Sequence, residues 1–147
     1  MGMLLRLSAI RYDRIARSVT QPIKVYIVDD SAQLAEMLCE LLADPGRVEI
    51  SGTADSVAQA TADIGRLRPD VVVVDLQLKD GNGFQIVQAV RAMPDAAGIE
   101  IVLFTNHIST EFRKRAEDLG ANHFLDKSKD HPRLVELVRQ KADHNVS

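Results

Sequence analysis

Between Ile23 and Asp143, five short runs of aliphatic and β-branched residues alternate with five amphipathic stretches, and few folds accept that order. The plainest run is "VVVVD", Val71 to Asp75: four valines in succession leave no polar face, so a strand built from them is covered on both sides. The third strand is read as 70–75, and the others as 23–29 (IKVYIVD), 47–53 (RVEISGT), 99–105 (IEIVLFT) and 122–126 (NHFLD). Helices are read at 31–44, 56–68, 84–92, 109–120 and 131–143. Leu34, Leu38, Leu41 and Leu42 are expected on the inner face of the first, and Val57, Ala60, Ile64 and Leu67 on that of the second. Pro69, Pro94 and Gly120 close the helices before them, and Pro132 suits the first turn of the last. A helix after every buried strand implies an α/β domain with a parallel sheet covered on both faces. Right-handed crossovers then make the sheet doubly wound.

Ligands of such sheets bind at the carboxyl ends of the strands, where the winding reverses. The first strand ends in Asp29 and Asp30, the third in Asp75 and the fourth in Thr105, while Lys127 follows the fifth. A lone carboxylate at the end of a buried strand is costly to desolvate. Three of them on one sheet edge repel one another and need compensation. A divalent cation supplies it: magnesium takes hard oxygen ligands, uses one or two carboxylates, and fills its other positions with water and phosphate oxygens. A carboxylate can also act as a nucleophile and form an aspartyl phosphate, with the metal neutralising charge on the transferring group. Lys127 suits one phosphoryl oxygen as a point charge, and the Thr105 hydroxyl suits another. Asp29 and Asp30 also have the residue type of a helix N-cap.

On these residues, 23–143 resembles the receiver domain of two-component response regulators, the family of the chemotaxis response regulator. The matching pieces are the acidic pair of "VDDS", the aspartate of "VVVVDLQLKDGNG", the threonine of "LFTN" and the lysine of "FLDKS", over about four fifths of the chain. The resemblance implies a flavodoxin-like (βα)5 fold, a five-stranded parallel sheet in the order 2-1-3-4-5. It implies that Asp75 is the phosphoacceptor. Asp29, Asp30, Asp75 and the backbone carbonyl of Gln77 would bind Mg2+ or Mn2+. Lys127 would contact the phosphoryl group, Thr105 would move toward it as the switch, and Phe124 would change rotamer in step; Phe124 also fits as core packing. Gln77 and His107 stand where the family tunes dephosphorylation. The implied partners are a histidine kinase or phosphotransfer protein as donor and an effector that reads the face of the fourth helix, fifth strand and fifth helix. The implied protein is a cytoplasmic signalling receiver, a monomer or a weak phosphorylation-dependent dimer, catalysing only its own phosphoryl transfer and dephosphorylation.

The chain departs from the family pattern at three places. Lys79 stands where proline is frequent, which leaves that loop freer. Ser128 follows the lysine in place of a proline; a non-proline cis bond costs about 2.5–4 kcal/mol, so a trans bond is expected. Asn106 replaces a smaller residue after the threonine and narrows access to the site. An interaction module that no longer accepts phosphate is therefore kept as the alternative. A phosphatase of the haloacid dehalogenase type would need Asp-x-Asp after the first strand, where this chain has Asp29-Asp30-Ser31. A flavin module would need a Ser/Thr- and Gly-rich loop there, and two acids would repel its phosphate.

Other features bound the reading further. A net charge of −3 gives nucleic-acid binding no support, and no apolar run approaches the roughly 18 residues of a membrane helix. Cys39 is the only cysteine, so no intrachain disulfide forms, in keeping with a reducing compartment. Residues 1–22 carry four arginines against one aspartate. Arg6 and Arg11 interrupt what would be a signal peptide, and Arg6 stands where myristoylation wants Ser or Thr. This extension is read as a flexible tail or a basic amphipathic helix. With residues 144–147 taken as a short tail, a stand-alone receiver is expected. The histidines lack metal-ligand spacing, and Arg113-Lys114-Arg115 reads as a solvated helix face or a site for an acidic partner.

Overall fold

Short polar side chains set where the helices begin. The computed structural model describes residues 21–146. Strand β1 (Ile23–Val28) leads to helix α1 (Ala32–Leu42), whose N-cap Ser31 accepts from the Leu34 N–H. Strand β2 (Val48–Ala54) leads to α2 (Val57–Leu67), capped in the same way by Ser56. Strand β3 (Val71–Val74) is followed by two two-residue strands, β4 (Gln77–Leu78) and β5 (Gly81–Asn82), and then α3 (Gly83–Arg91). Asn82 and Gln85 form a capping box at the start of α3, satisfying two otherwise unpaired donors. Strand β6 (Glu100–Thr105), α4 (Thr110–Leu119), β7 (His123–Asp126) and α5 (His131–Val146) complete the chain. Ser109 caps α4, and Gly120 closes it at φ 103°, a conformation that glycine adopts without strain.

The main sheet is parallel and runs β2-β1-β3-β6-β7, the expected 2-1-3-4-5 once the small β4–β5 hairpin is set aside. Alternate residues of each strand serve opposite layers. Val72 and Val74 join Tyr26, Val28, Ile101 and Leu103 in a core under α2, α3 and α4. Val71 and Val73 join Ile23, Val25, Ile27 and Val102 in a second core under α1 and α5. Each buried valine contributes about 1.5–3 kcal/mol, so β3 anchors both layers at once.

Several expectations are corrected. Leu41 points outward, 41% exposed, and Ala35 takes the inner position with Leu38 and Leu42. The last helix runs to Val146, beyond the residue 143 at which it was expected to end. Strand β2 begins at Val48 and carries a bulge: its register with β1 shifts between Val25 and Tyr26, and Ser51 is the extra residue. The bulge brings Gly52 beside Tyr26, where a Cβ would lie 3.0 Å from the ring. The loop after β3 is also less free than Lys79 suggested. Lys79 pairs with Asp55 at 2.7 Å, and the Asp80 carboxylate accepts from the Val57 and Ala58 N–H groups at the start of α2. The extension read at 1–22 lies outside the described residues apart from Gln21 and Pro22.

Candidate functional site

The carboxyl ends of β1, β3 and β6 lie side by side because the three strands are adjacent and in parallel register. The residue after β1 is Asp29, 2% exposed, and the residue after β3 is Asp75, 7% exposed. Their backbones are fixed by the sheet: the Asp29 N–H donates to Ala54 O and the Asp75 N–H to Val28 O. Asp30 is exposed beside them, and one carboxylate oxygen from each of Asp29, Asp30 and Asp75 lies within 4.8 Å of the others. Lys127 follows β7 and places its ammonium 2.6 Å from Asp29 Oδ2 and 2.8 Å from Asp75 Oδ2. Asp29 Oδ1 accepts from the Ser31 N–H at 2.9 Å. Helix capping therefore belongs to Ser31 rather than to either aspartate.

The charges do not balance, since three carboxylates face one ammonium. Burial pushes the Asp29 carboxyl above its usual range, against the pull of Lys127 and the Ser31 N–H. Burial works against the Lys127 ammonium as well, yet its hydrogen bonds to Asp29 and Asp75 outweigh it and raise its pKa. Asp75 Oδ1 is buried with no hydrogen-bond partner, which in a polar pocket marks a place for an unfilled ligand bond. Clustered hard oxygens, a surplus of negative charge and an orphaned carboxylate oxygen together fit a divalent cation of the magnesium type.

Thr105, fully buried at the end of β6, accepts from the His107 N–H at 3.1 Å, which leaves its own hydroxyl proton free to donate elsewhere. His107 Nε2 lies 2.9 Å from Gln77 Oε1, so the two expected tuning residues join each other. Phe124 is 7% exposed on β7 and lies under Arg113, whose guanidinium is 5.0 Å from the ring centroid and donates to Phe124 O. Arg115 covers Phe84 at 4.7 Å, and Lys114 lies 3.6 Å from Asp118. The basic triplet on α4 is thus largely engaged within the chain. Of the other histidines, His123 pairs with Glu100 at 2.8 Å and His131 packs edge-on against Phe104. No peptide bond among the described residues is cis, including that between Lys127 and Ser128.

From the sequence, Gly81 and Gly83 read only as glycines that permit a tight turn, and the close approach at Gly83 was not foreseen. A Cβ there would come within 2.5 Å of the Asp75 backbone oxygen, so only glycine lets α3 start against the phosphoacceptor candidate. The Gly83 N–H donates to Leu76 O and ties this junction down. The Asn-x-x-Gln spacing at Asn82 and Gln85 was the available signal for the helix start.

Comparison with known proteins agrees with this geometry. The response regulator receiver domain model matches residues 25–139. The chain is 32% identical over 118 residues to the DNA-binding transcriptional activator DevR/DosR of Mycobacterium tuberculosis, covering 80% of this chain and 53% of that one. It is also 32% identical to the sensory transduction protein LytT of Bacillus cereus, covering 80% and 46%. The chain thus spans about half the length of these relatives. Among solved structures, it superposes on a LuxR-family two-component response regulator from an Aurantimonas species with a TM-score of 0.74 at 26% identity, covering 84% of this chain and 87% of that one. The REC domain of AraT, a response regulator from Geobacillus stearothermophilus, gives 0.69 at 25%, covering 83% and 94%. With the sheet order, the acidic edge and these matches in agreement, the chain belongs to the response regulator receiver domains of two-component signal transduction.

Proposed function

We propose that Asp75 accepts a phosphoryl group from a phosphohistidine on a histidine kinase or phosphotransfer protein. The supporting observation is the Asp75 carboxylate: buried at a strand end, held on Oδ2 by Lys127, and unpartnered on Oδ1. In the transfer, an Asp75 oxygen bonds to phosphorus while the phosphorus–nitrogen bond breaks and the imidazole leaves with the electron pair. Asp29, Asp30, Asp75 and the Gln77 carbonyl would hold Mg2+ or Mn2+, which neutralises phosphoryl charge when bound. Lys127, placed by Asp29 and Asp75, takes one phosphoryl oxygen. Thr105 donates its free hydroxyl proton to another, and Phe124 follows it. The Gln77–His107 pair governs how readily water reaches the acyl phosphate and so sets its lifetime.

The output is a population shift: the Thr105 contact favours one of two arrangements of the α4–β7–α5 face, which a downstream protein reads. A cytoplasmic site of action suits this role. Among the described residues, no helix is long and apolar enough to cross a membrane. Intact mass after incubation with acetyl phosphate and Mg2+ tests the reading. The wild type is expected to gain one phosphoryl group only with the metal, and Asp75→Asn none. If neither acetyl phosphate nor beryllofluoride engages the wild type, the protein is a receiver-shaped interaction module, the second reading that Asn106 and Ser128 support.

A further inference from the structure

Strand β7 ends at Asp126, so the pleat that sends Phe124 and Leu125 into opposite cores does not direct the side chain of Lys127. Yet the Lys127 ammonium sits between two carboxylates, 2.6 Å from Asp29 Oδ2 and 2.8 Å from Asp75 Oδ2. A lysine has a long, flexible stem and loses much rotamer freedom when held in one place, so its backbone must be set firmly. On the N-terminal side, the Lys127 N–H donates to Thr105 O at 2.9 Å. On the C-terminal side the next residue, Ser128, is exposed and belongs to no strand or helix.

Asp126 holds that side. Its Oδ1 accepts from the Ser128 N–H at 2.8 Å and from the Ser128 hydroxyl at 2.6 Å, an Asx turn closed around Lys127. The Asp126 carbonyl accepts from the N–H groups of Lys129, at 3.2 Å, and Asp130, at 2.8 Å. Asp130 answers with its own carboxylate, whose Oδ2 accepts from the Asp126 N–H at 2.8 Å. The Asp130 carbonyl also takes the Leu134 N–H at the start of α5. The segment from Asp126 to Asp130 thus closes on itself between the last strand and the last helix. A proline at 128 would lack the N–H that this turn uses, so a serine there is what the turn needs.

Asp126 acts on the backbone of Lys127 and not on its charge. The Lys127 ammonium pairs with Asp29 and Asp75, and Asp126 is not among its ion-pair partners. The two bonds from Ser128 hold the Asp126 carboxyl below its usual range, so the ionised form, which accepts both, is the one present at neutral pH. We infer that Asp126 is the positioning residue for Lys127: by holding Ser128 it fixes the turn that delivers the ammonium to Asp29 and Asp75. Contact of that ammonium with a phosphoryl oxygen rests on the reading of Asp75 as phosphoacceptor. The placement of the ammonium does not, and it is measured without any phosphoryl donor.

Brief acylation of the full chain with acetic anhydride in EDTA, read by peptide mass spectrometry, reports how often the Lys127 amine is free of its two carboxylates. Lys114, exposed on α4, is the reference within the same chain. Asp126→Ala is expected to raise Lys127 labelling about tenfold relative to Lys114, the equilibrium worth of one hydrogen bond to a charged acceptor. Asp126→Asn keeps an oxygen acceptor in place and should stay near the wild type. Ser128→Ala keeps the N–H, loses the hydroxyl, and should fall between them. The rate at which acetyl phosphate with Mg2+ modifies the protein should fall in the same order, by about tenfold or more in Asp126→Ala. Equal Lys127 labelling in Asp126→Ala and the wild type would overturn the inference. So would a rise at every lysine alike with a lower urea midpoint, since Asp126 would then serve general stability. A rise confined to Lys127, in a protein whose wild type takes neither acetyl phosphate nor beryllofluoride, would uphold the placement and remove the phosphoacceptor reading instead.

Discussion

Lys127 is 8% exposed and holds two carboxylates that are themselves nearly buried. Replacing it by methionine would keep most of its volume and leave three acids with no counter-charge. Removing one partner of a buried pair costs about 3–5 kcal/mol, so Lys127→Met is expected to lose about 3 kcal/mol of folding stability in EDTA. A cation held by the proposed site of Asp29, Asp30 and Asp75 would supply the missing charge. The loss should therefore shrink when Mg2+ is added in excess, because a ligand of the native state stabilises it by mass action. Urea midpoints with and without Mg2+ measure both quantities. An equal loss in the two conditions would show that Lys127 serves packing alone. The acids, Thr105 and Lys127 were legible in the sequence because each ends or follows a run whose β-branched character marks a buried strand. The close approach of Gly83 to Asp75 was not, because periodicity does not encode how near a helix start comes to a strand end, and the cap at Ser31 was not, because Asp29 and Asp30 beside it are equally good cap residues.

At the scale of elements, α2 is held to β1 by more than apolar packing. Tyr26 is fully buried on β1 and donates its hydroxyl to Asp63 Oδ2 on α2 at 2.5 Å. That bond, with help from Gln59 and Arg66, holds the Asp63 carboxyl below its usual range. A carboxylate whose pKa is lower folded than unfolded stabilises the fold above its unfolded value, near 3.9. The contribution is lost as pH falls through the depressed folded value. Tyr26→Phe should therefore cost about 2 kcal/mol at pH 7, the worth of a hydrogen bond to a charged acceptor. The difference from wild type should narrow steadily below about pH 4. Denaturation midpoints at several pH values check this, and a constant difference would mean that the ring's packing against Gly52 and α2 is what counts. The five main strands and five helices were legible, since the strands are short aliphatic and β-branched runs, the helices are amphipathic stretches, and polar or Gly/Pro residues bound them. Four features were not. The bulge at Ser51 brings Gly52 opposite Tyr26, whose ring needs the space a side chain there would take. The outward Leu41 follows from Ala35 occupying the inner face. The ties of Lys79 and Asp80 to Asp55 and the start of α2 are contacts between segments distant in sequence. Arg91 belongs with these, since its guanidinium bonds the carbonyls of Ala96, Ile99 and Gly120 and the Asn122 side chain, joining α3 to the end of α4 and the start of β7.

Across the whole molecule, the site and the proposed output face are joined by β6 and β7, which pair from Val102–His123 to Thr105–Asp126. Thr105 ends one strand, and Phe124 lies on the other, opposite Leu103 and beneath Arg113 of α4. A pull on Thr105 would reach α4 through two paired strands and one aromatic side chain, with Leu103 and Phe124 in the core shared by α2, α3 and α4. Such a route carries a signal only if phosphorylation favours one of two arrangements by differential contact. The chain lacks tryptophan, so Phe112→Trp, on α4 and stacked edge-on at 5.8 Å from Phe84, gives a single emitter on that face. Beryllofluoride with Mg2+ is expected to shift its emission. Adding Thr105→Val, which keeps the shape and removes the hydroxyl, should reduce the shift, by up to about half, while Asp75 still gains its phosphoryl group from acetyl phosphate. Moving a two-state equilibrium from mostly one form to mostly the other takes about 5.5 kcal/mol of differential binding. One hydroxyl contact to a charged oxygen, worth about 1.5–3 kcal/mol, supplies part of that, so a residual shift is expected. A full shift in the Thr105→Val background would place the coupling elsewhere, with Lys127 and the Asp126–Ser128 turn the next structure to probe. Loss of modification together with the shift would instead give Thr105 a part in phosphoryl transfer itself.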